Sequence, residues 1–221
     1  MSHRPATVGR VPAPEVRRTR LRAARGENRA AIVAAAEAAL RRRPFREVTV
    51  EEVMQDAGLA RTQFYRHFDD LPDLVLRVGQ DAFGALLDAH EELVALSSLD
   101  RAALEEGLRR AVEAFAEHGP LVRALGEAAI HDAAVEAVLD GVHERYVALV
   151  AGVVERAAAQ GAPIAAPRET ARLLHHANVA YLTTVFGREP LVGVDEAHAA
   201  VLGMWAATLG LDDAGATRQA P

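Results

Sequence analysis

The sequence predicts an all-α protein in which a small N-terminal helix-turn-helix domain precedes a larger C-terminal helical domain. Apolar residues recur at helical spacing through most of the 221 residues, and no stretch shows the alternation typical of a β-strand. Glycine and proline clusters separate these periodic stretches. Charge is also divided, since residues 1–70 hold 14 arginines against 9 acidic residues and residues 71–221 hold 11 against 22.

Composition limits the classes of protein to which the chain can belong. Half of its residues are hydrophobic, which is enough for a substantial core at this length. Cysteine is absent, so a disulfide framework, a cysteine nucleophile and a thiolate metal site are excluded. No stretch has the pattern of a signal peptide or a membrane span, and we therefore expect a cytoplasmic protein without a membrane partner.

An arginine-rich N-terminus precedes the first predicted helix. Residues 1–26 combine proline, glycine and arginine without periodicity, which predicts a flexible arm. From Glu27 onward, apolar residues such as Ile32 and Leu40 recur at helical spacing until Pro44 ends the helix. Residues 27–70 form the predicted helix-turn-helix domain.

Two short helices follow within this domain. Thr49 begins the second helix and forms a capping box with Glu52, and Gly58 ends that helix. A third helix is predicted from about Arg61 to Phe68, anchored to the core by its two phenylalanines, so that its polar residues face outward. The candidate DNA contacts are Thr49, Arg61, Thr62, Gln63, Tyr65, Arg66 and His67.

These residue types suit the recognition of double-stranded DNA. Arg61 and Arg66 can fork onto guanine edges or grip phosphate, and Gln63 can pair with adenine. Thr62 and Tyr65 can bond phosphate through their hydroxyls. The alternative is a polar surface helix in an unrelated bundle, and the pattern alone leaves it open.

The rest of the chain predicts further helices in a domain spanning residues 71–212, followed by a flexible tail at residues 213–221. A fourth helix starts behind Asp70 and continues toward Ala95. The later helices are expected at Asp100–Glu117, Pro120–Ile130, Asp132–Gln160, Pro167–Phe186 and Asp195–Leu209.

The run Phe45-Arg-Glu-Val-Thr-Val-Glu-Glu-Val53, with Ala57-Gly-Leu-Ala-Arg-Thr-Gln-Phe-Tyr-Arg-His-Phe68, resembles the signature of the TetR family of repressors. The resemblance implies a homodimer that binds a palindromic operator through its N-terminal domains. It also implies a C-terminal domain that encloses a small-molecule inducer, whose identity the sequence does not give. This domain is expected to dimerise through its last two helices, where small residues permit close packing: Ala199, Ala200, Gly203 and Ala206. Neither a cofactor nor catalytic residues are expected.

Three residues depart from the family pattern. Met54 stands where the family has a small residue, Ala60 where it has a helix-capping serine, and Leu71 near the place of a phosphate-gripping lysine. Arginines of the arm are therefore expected to replace part of the grip on the DNA backbone: Arg17, Arg18, Arg20, Arg22 and Arg25.

Within the family, the chain is most similar to the ethionamide-resistance type of repressor, through Arg25-Gly26-Glu27, Arg43-Pro44, Phe115 to His118, Gly187 and Trp205. This resemblance implies an apolar or amphipathic ligand. The matching pocket positions are Leu104, Ala111, Phe115, Leu139, His143, Tyr146, Val150, Leu174, Ala177, Asn178, Leu182 and Trp205. Leu104, Ala111 and Leu139 stand where the subgroup has large aromatic residues, so the pocket should differ in shape.

Alternative functions rest on weaker patterns. The pair His131-Asp132 resembles part of the metal site of HD phosphohydrolases, although Asp132 is better explained as a helix cap. His175 and His176 point to different faces of one helix and lack the spacing of a helical zinc site, so no metal is expected. A regulator that activates transcription, or one without a small-molecule ligand, also fits the sequence.

Overall fold

The computed structural model describes residues 14–94 and 100–211, and within these ranges it contains helices and no β-strand. The all-α prediction is therefore confirmed. Two 3₁₀ helices occur, at Phe45–Glu47 and at Arg61–Arg66, and we call the second one the recognition segment. The α-helices are α1 (Pro14–Arg42), α2 (Val50–Asp56), α3 (Leu71–Val94), α4 (Arg101–Ala129), α5 (Ala133–Ala159), α6 (Pro167–Phe186) and α7 (Val194–Leu209).

The N-terminal part of the fold, which we call the head, comprises α1, the 3₁₀ helix Phe45–Glu47, α2 and the recognition segment. Its core is built from side chains that the helical periodicity places inward, among them Ile32, Val53 and Phe64. This core continues into α3 and α4, where Leu74 and Leu125 belong to the same buried cluster. The head is thus fastened to the C-terminal helices by shared apolar packing.

A second core joins the C-terminal helices. It contains Leu104 and Phe115 of α4, Val150 of α5, Leu182 of α6 and Trp205 of α7, all of them buried. Helices α6 and α7 close one side of this core and keep their other faces exposed.

Helix α1 begins at Pro14, so the prediction of a flexible arm over residues 1–26 is wrong for residues 14–26. Arginine and alanine are good helix formers, and extending an existing helix costs far less than nucleating one. The helix therefore extends to the N-terminal side of Gly26 without a stripe of apolar residues. Residues 1–13 and the predicted tail at 213–221 lie outside the described residues.

Two further elements differ from expectation. The helices predicted at Asp100–Glu117 and Pro120–Ile130 are one helix, α4, with Pro120 in its interior. Proline removes one hydrogen bond from a helix, and tertiary packing on both sides of Pro120 outweighs that loss. The predicted third helix is the 3₁₀ recognition segment, whose first residue follows Ala60 and so lacks a side-chain cap.

Candidate nucleic-acid interface and internal cavity

The recognition segment is held on the head by two aromatic rings. Phe64 and Phe68 are both buried, and their ring centroids lie 5.7 Å apart. The guanidinium of Arg29, on α1, lies 5.2 Å from the centroid of the Phe68 ring, at the distance of a cation–π contact. The anchoring role predicted for the two phenylalanines is confirmed.

The outward face of the recognition segment is polar and cationic. Arg61, Thr62 and Arg66 are exposed, and 57% of Tyr65 is accessible. Gln63 is half-buried, and its Oε1 atom accepts no hydrogen bond from the described residues. These exposed donors and the unpaired Gln63 oxygen are suited to hydrogen bonds with base edges and phosphates.

Helix α2 has the N-terminus that the sequence predicts. The Thr49 side chain accepts a hydrogen bond from the Glu52 amide, and the Glu52 carboxylate accepts one from the Thr49 amide. Arg43 donates to the same carboxylate at 2.9 Å and lowers the pKa of Glu52. Gly58, with φ of +67°, forms the turn toward the recognition segment.

A groove lies between α1 and the recognition segment, lined by Ala24, Arg25, Asn28, Gln63, Arg66 and His67. Arg25 donates a 2.8 Å hydrogen bond to the backbone oxygen of Arg66, so this arginine braces the recognition segment. Burial, and then the charges of Arg25, Arg29 and Arg66, lower the pKa of His67. Asn28 was missed by the sequence reasoning because it lies one helix away from the motif.

The remaining arginines of the predicted arm fall into two groups. Arg18 and Arg22 are exposed on α1. The side chains of Arg17 and Arg20 lie outside the described residues.

A cavity of about 470 Å³ lies between the C-terminal helices, within the range of small-molecule sites, and it opens to solvent beside the exposed residues Gly126 and Ile130. Its wall is mostly apolar and is formed by residues of α3 to α7. The predicted pocket residues that line it are Ala111, Phe115, Leu139, His143, Tyr146, Asn178 and Leu182.

The other predicted pocket residues do not line this cavity: Leu104, Val150, Leu174, Ala177 and Trp205. The first three and Trp205 are buried in the core. Trp205 nevertheless acts on the wall, since its indole Nε1 donates a 3.2 Å hydrogen bond to Asn178 Oδ1 and fixes the orientation of that amide.

Several wall residues were missed by the sequence reasoning. They lie on α3, on the second half of α4 and at the C-terminal end of α4, where no motif marked them: Phe83, Leu86, Val122, Arg123, Gly126, Glu127 and Ile130. Thr183, on α6, adds a buried hydroxyl oxygen that has no hydrogen-bond partner among the described residues. A ligand with one polar group could satisfy it.

Glu127 connects the cavity wall to the head. One of its carboxylate oxygens accepts the backbone amide of Phe45 at 2.9 Å. The other accepts a 3.1 Å hydrogen bond from Arg123 and lies 3.7 Å from Arg188. Glu127 is thus both a residue of the cavity wall and a partner in a contact with the head.

Three histidines meet at the edge of the cavity. His143 of α5 and His175 of α6 both line it, and their Nδ1 and Nε2 atoms lie 2.9 Å apart. His176 is exposed, and one ring nitrogen from each histidine lies within 4.8 Å of the others. Sequence reasoning predicted His143 as a pocket residue but considered His175 and His176 on their helix alone, and so missed that the three histidines converge. Metal-ligand side chains therefore come together where none was expected.

The His131-Asp132 pair has the structure of a helix cap. Asp132 accepts hydrogen bonds from the amides of Ala134 and Val135 at the start of α5, as predicted. His131 is exposed beside it. The geometry gives Asp132 a complete structural role.

Comparison with known proteins agrees with this architecture. Residues 32–78 match the family described as bacterial regulatory proteins, tetR family. No curated protein matches the chain. Among the described helices, none is long and apolar enough to cross a membrane.

Solved structures show the same fold at low sequence identity. The TetR family regulator PfmR of Thermus thermophilus is 16% identical, with 78% of this chain and 95% of that one covered at a TM-score of 0.66. NalD of Pseudomonas aeruginosa, a secondary repressor of a multidrug efflux pump, is 20% identical, with 81% and 95% covered at 0.63. A TetR-family regulator from Rhodococcus sp. is 21% identical, with 83% and 99% covered at 0.61. These similarities establish the fold of TetR-family regulators and give no support to the narrower resemblance to the ethionamide-resistance type.

Proposed function

We propose that this chain is a TetR-type transcriptional regulator, a cytoplasmic repressor that binds a palindromic operator as a homodimer. A small apolar or amphipathic ligand in the cavity releases it from DNA. The observation that carries the proposal is the recognition segment, which presents a polar, cationic face from an N-terminal domain that matches the TetR family. The proposed function includes no enzymatic activity.

The division of charge supports the orientation of the head toward DNA. The first 70 residues carry a net charge of +5 and the rest of the chain a net charge of −11, counted from 14 arginines against 9 acidic residues and 11 against 22. Phosphates attract the first part and repel the second, so a duplex approaches the head.

The proposed DNA contacts remain the seven residues predicted from the sequence: Thr49, Arg61, Thr62, Gln63, Tyr65, Arg66 and His67. Changing Arg61 or Gln63 to alanine should relax specificity at one base pair by about 1–3 kcal/mol, because a base contact is lost. Capture of genomic fragments by the purified protein supplies the operator, and gel-shift titrations then compare it with single-base variants. Exposed Arg18→Ala serves as the control and should weaken specific and random DNA alike. Equal losses on specific and random DNA for the Arg61 and Gln63 variants would argue against the proposed reading face.

Release by a ligand follows from linkage between the cavity and the head. The two heads of a dimer must sit roughly 34–36 Å apart to enter successive major grooves. A ligand that favours another spacing weakens DNA binding, and DNA weakens ligand binding by the same factor. The Glu127 contact with Phe45 offers a direct physical connection for this effect.

The cavity is tested by filling it. Gly126 lies in the exposed part of the cavity wall, and a Cβ added there meets no described atom within 4 Å, so a larger side chain has room at the cavity. We expect Gly126→Leu to weaken binding of the fluorophore anilinonaphthalene sulfonate, an amphipathic probe, by at least about tenfold, since displaced volume removes apolar contacts. Gly141→Leu, on the exposed side of α5, is the matched control. Equal fluorescence titrations for the two variants would show that the probe does not occupy this cavity.

Dimerisation is proposed to use the outer faces of α6 and α7. The small residues Ala199, Ala200 and Gly203 are exposed along α7 and permit close helix packing, as does the exposed Ala207. Ala206, also expected at this interface from the sequence, is instead buried in the core. On α6, 71% of Leu173 is accessible in the single chain, an apolar surface that a partner subunit would cover.

A further inference from the structure

We propose that His143, His175 and His176 form a binding site for a divalent transition-metal ion, with zinc as the reference ion. The three rings come from two helices and converge at one point, so the site depends on the packing of α5 against α6. The inference stands on this geometry and does not require the proposed regulatory function.

The distances between the ring nitrogens bracket those of a tetrahedral zinc site. Zinc–nitrogen bonds of about 2.0–2.1 Å place neighbouring ligand atoms about 3.4 Å apart. His143 and His175 approach more closely than this, at 2.9 Å, and the three nitrogens span no more than 4.8 Å. Small side-chain rotations bring them to bonding distance, and the exposed His176 has the room to make the larger one.

The surroundings define the kind of ion. Three neutral imidazoles suit zinc, copper, nickel and iron, whereas calcium and magnesium require oxygen ligands. Tyr146 stacks on His175 with ring centroids 5.4 Å apart and an interplanar angle of 11°, which holds that ring in place.

Three protein ligands leave a fourth position open, as in sites where water or a ligand completes the coordination. Because His143 and His175 line the cavity, the bound ion lies at the cavity wall. A carboxylate or hydroxyl of a cavity ligand can occupy the open position. The ion and an apolar cavity ligand then share one site, with the metal providing its polar anchor.

The test uses the full-length chain without a histidine tag. Zinc affinity is measured by competition with a chromophoric chelator, and cobalt is added separately because its visible spectrum reports coordination geometry. We expect one ion per chain and a cobalt spectrum of four-coordinate type. His176→Gln is an exposed substitution that leaves the core intact, and it should weaken zinc binding by at least about tenfold. Replacing residues that only hydrogen-bond to metal ligands already costs about this much affinity.

His143→Gln is expected to give a loss at least as large, and His131→Gln, at an exposed position outside the cluster, should leave the affinity unchanged. Circular dichroism verifies that each variant is folded. Absence of zinc binding at micromolar concentration overturns the proposal. Equal affinities for wild type, His176→Gln and His131→Gln overturn it as well, because the ion would then be bound elsewhere.

Discussion

At the scale of single residues, His67 joins the recognition segment to the arginines of α1. Its neutral form is favoured in the free protein because burial and three nearby arginines lower its pKa. A DNA phosphate close to the ring has the opposite effect and raises that pKa. Binding of DNA is therefore expected to take up a proton at His67.

The sign of the pH dependence follows from this uptake. Affinity should rise as pH falls through the pKa of the DNA-bound state and level off below the pKa of the free state. We expect a gain of up to about tenfold, equivalent to one pKa unit, between pH 8 and pH 6 at constant salt. His67→Gln should reduce this slope, while His131→Gln should keep it. Parallel slopes for wild type and His67→Gln in fluorescence-anisotropy titrations would exclude a phosphate at this ring.

Residue-scale prediction from the sequence worked where chemistry is local. The Thr49 and Glu52 capping box and the Asp132 cap depend on residues two or three positions apart, and both are present. The histidine cluster depends on residues 32 and 33 positions apart, and only the pairing of α5 with α6 reveals it.

At the scale of helices, the crossing of α4 and α6 depends on a residue without a side chain. A Cβ at Gly119 would lie 2.5 Å from the backbone oxygen of Phe186 and 3.0 Å from its Cβ. Backbone atoms cannot rotate away as a flexible side chain can. The two helices must therefore separate if any other residue occupies this position.

Gly119→Ala is expected to lower the free energy of unfolding by about 1–3 kcal/mol, the usual cost of overpacking. The matched substitution Gly141→Ala lies on the exposed side of α5, where an added Cβ meets no described atom within 4 Å. It should raise stability by about 0.5–1 kcal/mol, since alanine favours helix. Urea denaturation at one protein concentration compares the variants. A Gly119→Ala protein as stable as wild type would contradict the close crossing.

Helix boundaries show what sequence patterns can predict at this scale. The expected helix Pro167–Phe186 coincides with α6 because proline opens it and apolar periodicity is clear along it. Pro120 misled the prediction for α4, since a proline ends an isolated helix but is accepted where tertiary contacts hold both halves. The N-terminal half of α1 was missed because this half of the helix carries no apolar stripe.

At the scale of the whole molecule, the exposed small residues of α7 are the proposed interface between two chains. Gly203→Arg places a long charged side chain on the proposed interface and should convert the proposed dimer to a monomer. Operator affinity should fall at least about a hundredfold, because each monomer then makes half of the contacts. Gly141→Arg, on α5, is the control and should remain dimeric. Sedimentation velocity provides the readout, and a dimeric Gly203→Arg protein would move the interface elsewhere.

The double role of Glu127 affects which mutations a genetic selection should return. The Glu127 carboxylate belongs both to the cavity wall and to the contact with the head. A substitution at this position therefore changes ligand binding and the position of the head together. A selection for alleles that stay on DNA in the presence of inducer should return changes at Glu127 and Arg123 beside the expected cavity substitutions. Many of these alleles should also have altered operator affinity without inducer, whereas alleles at Gly126 should not.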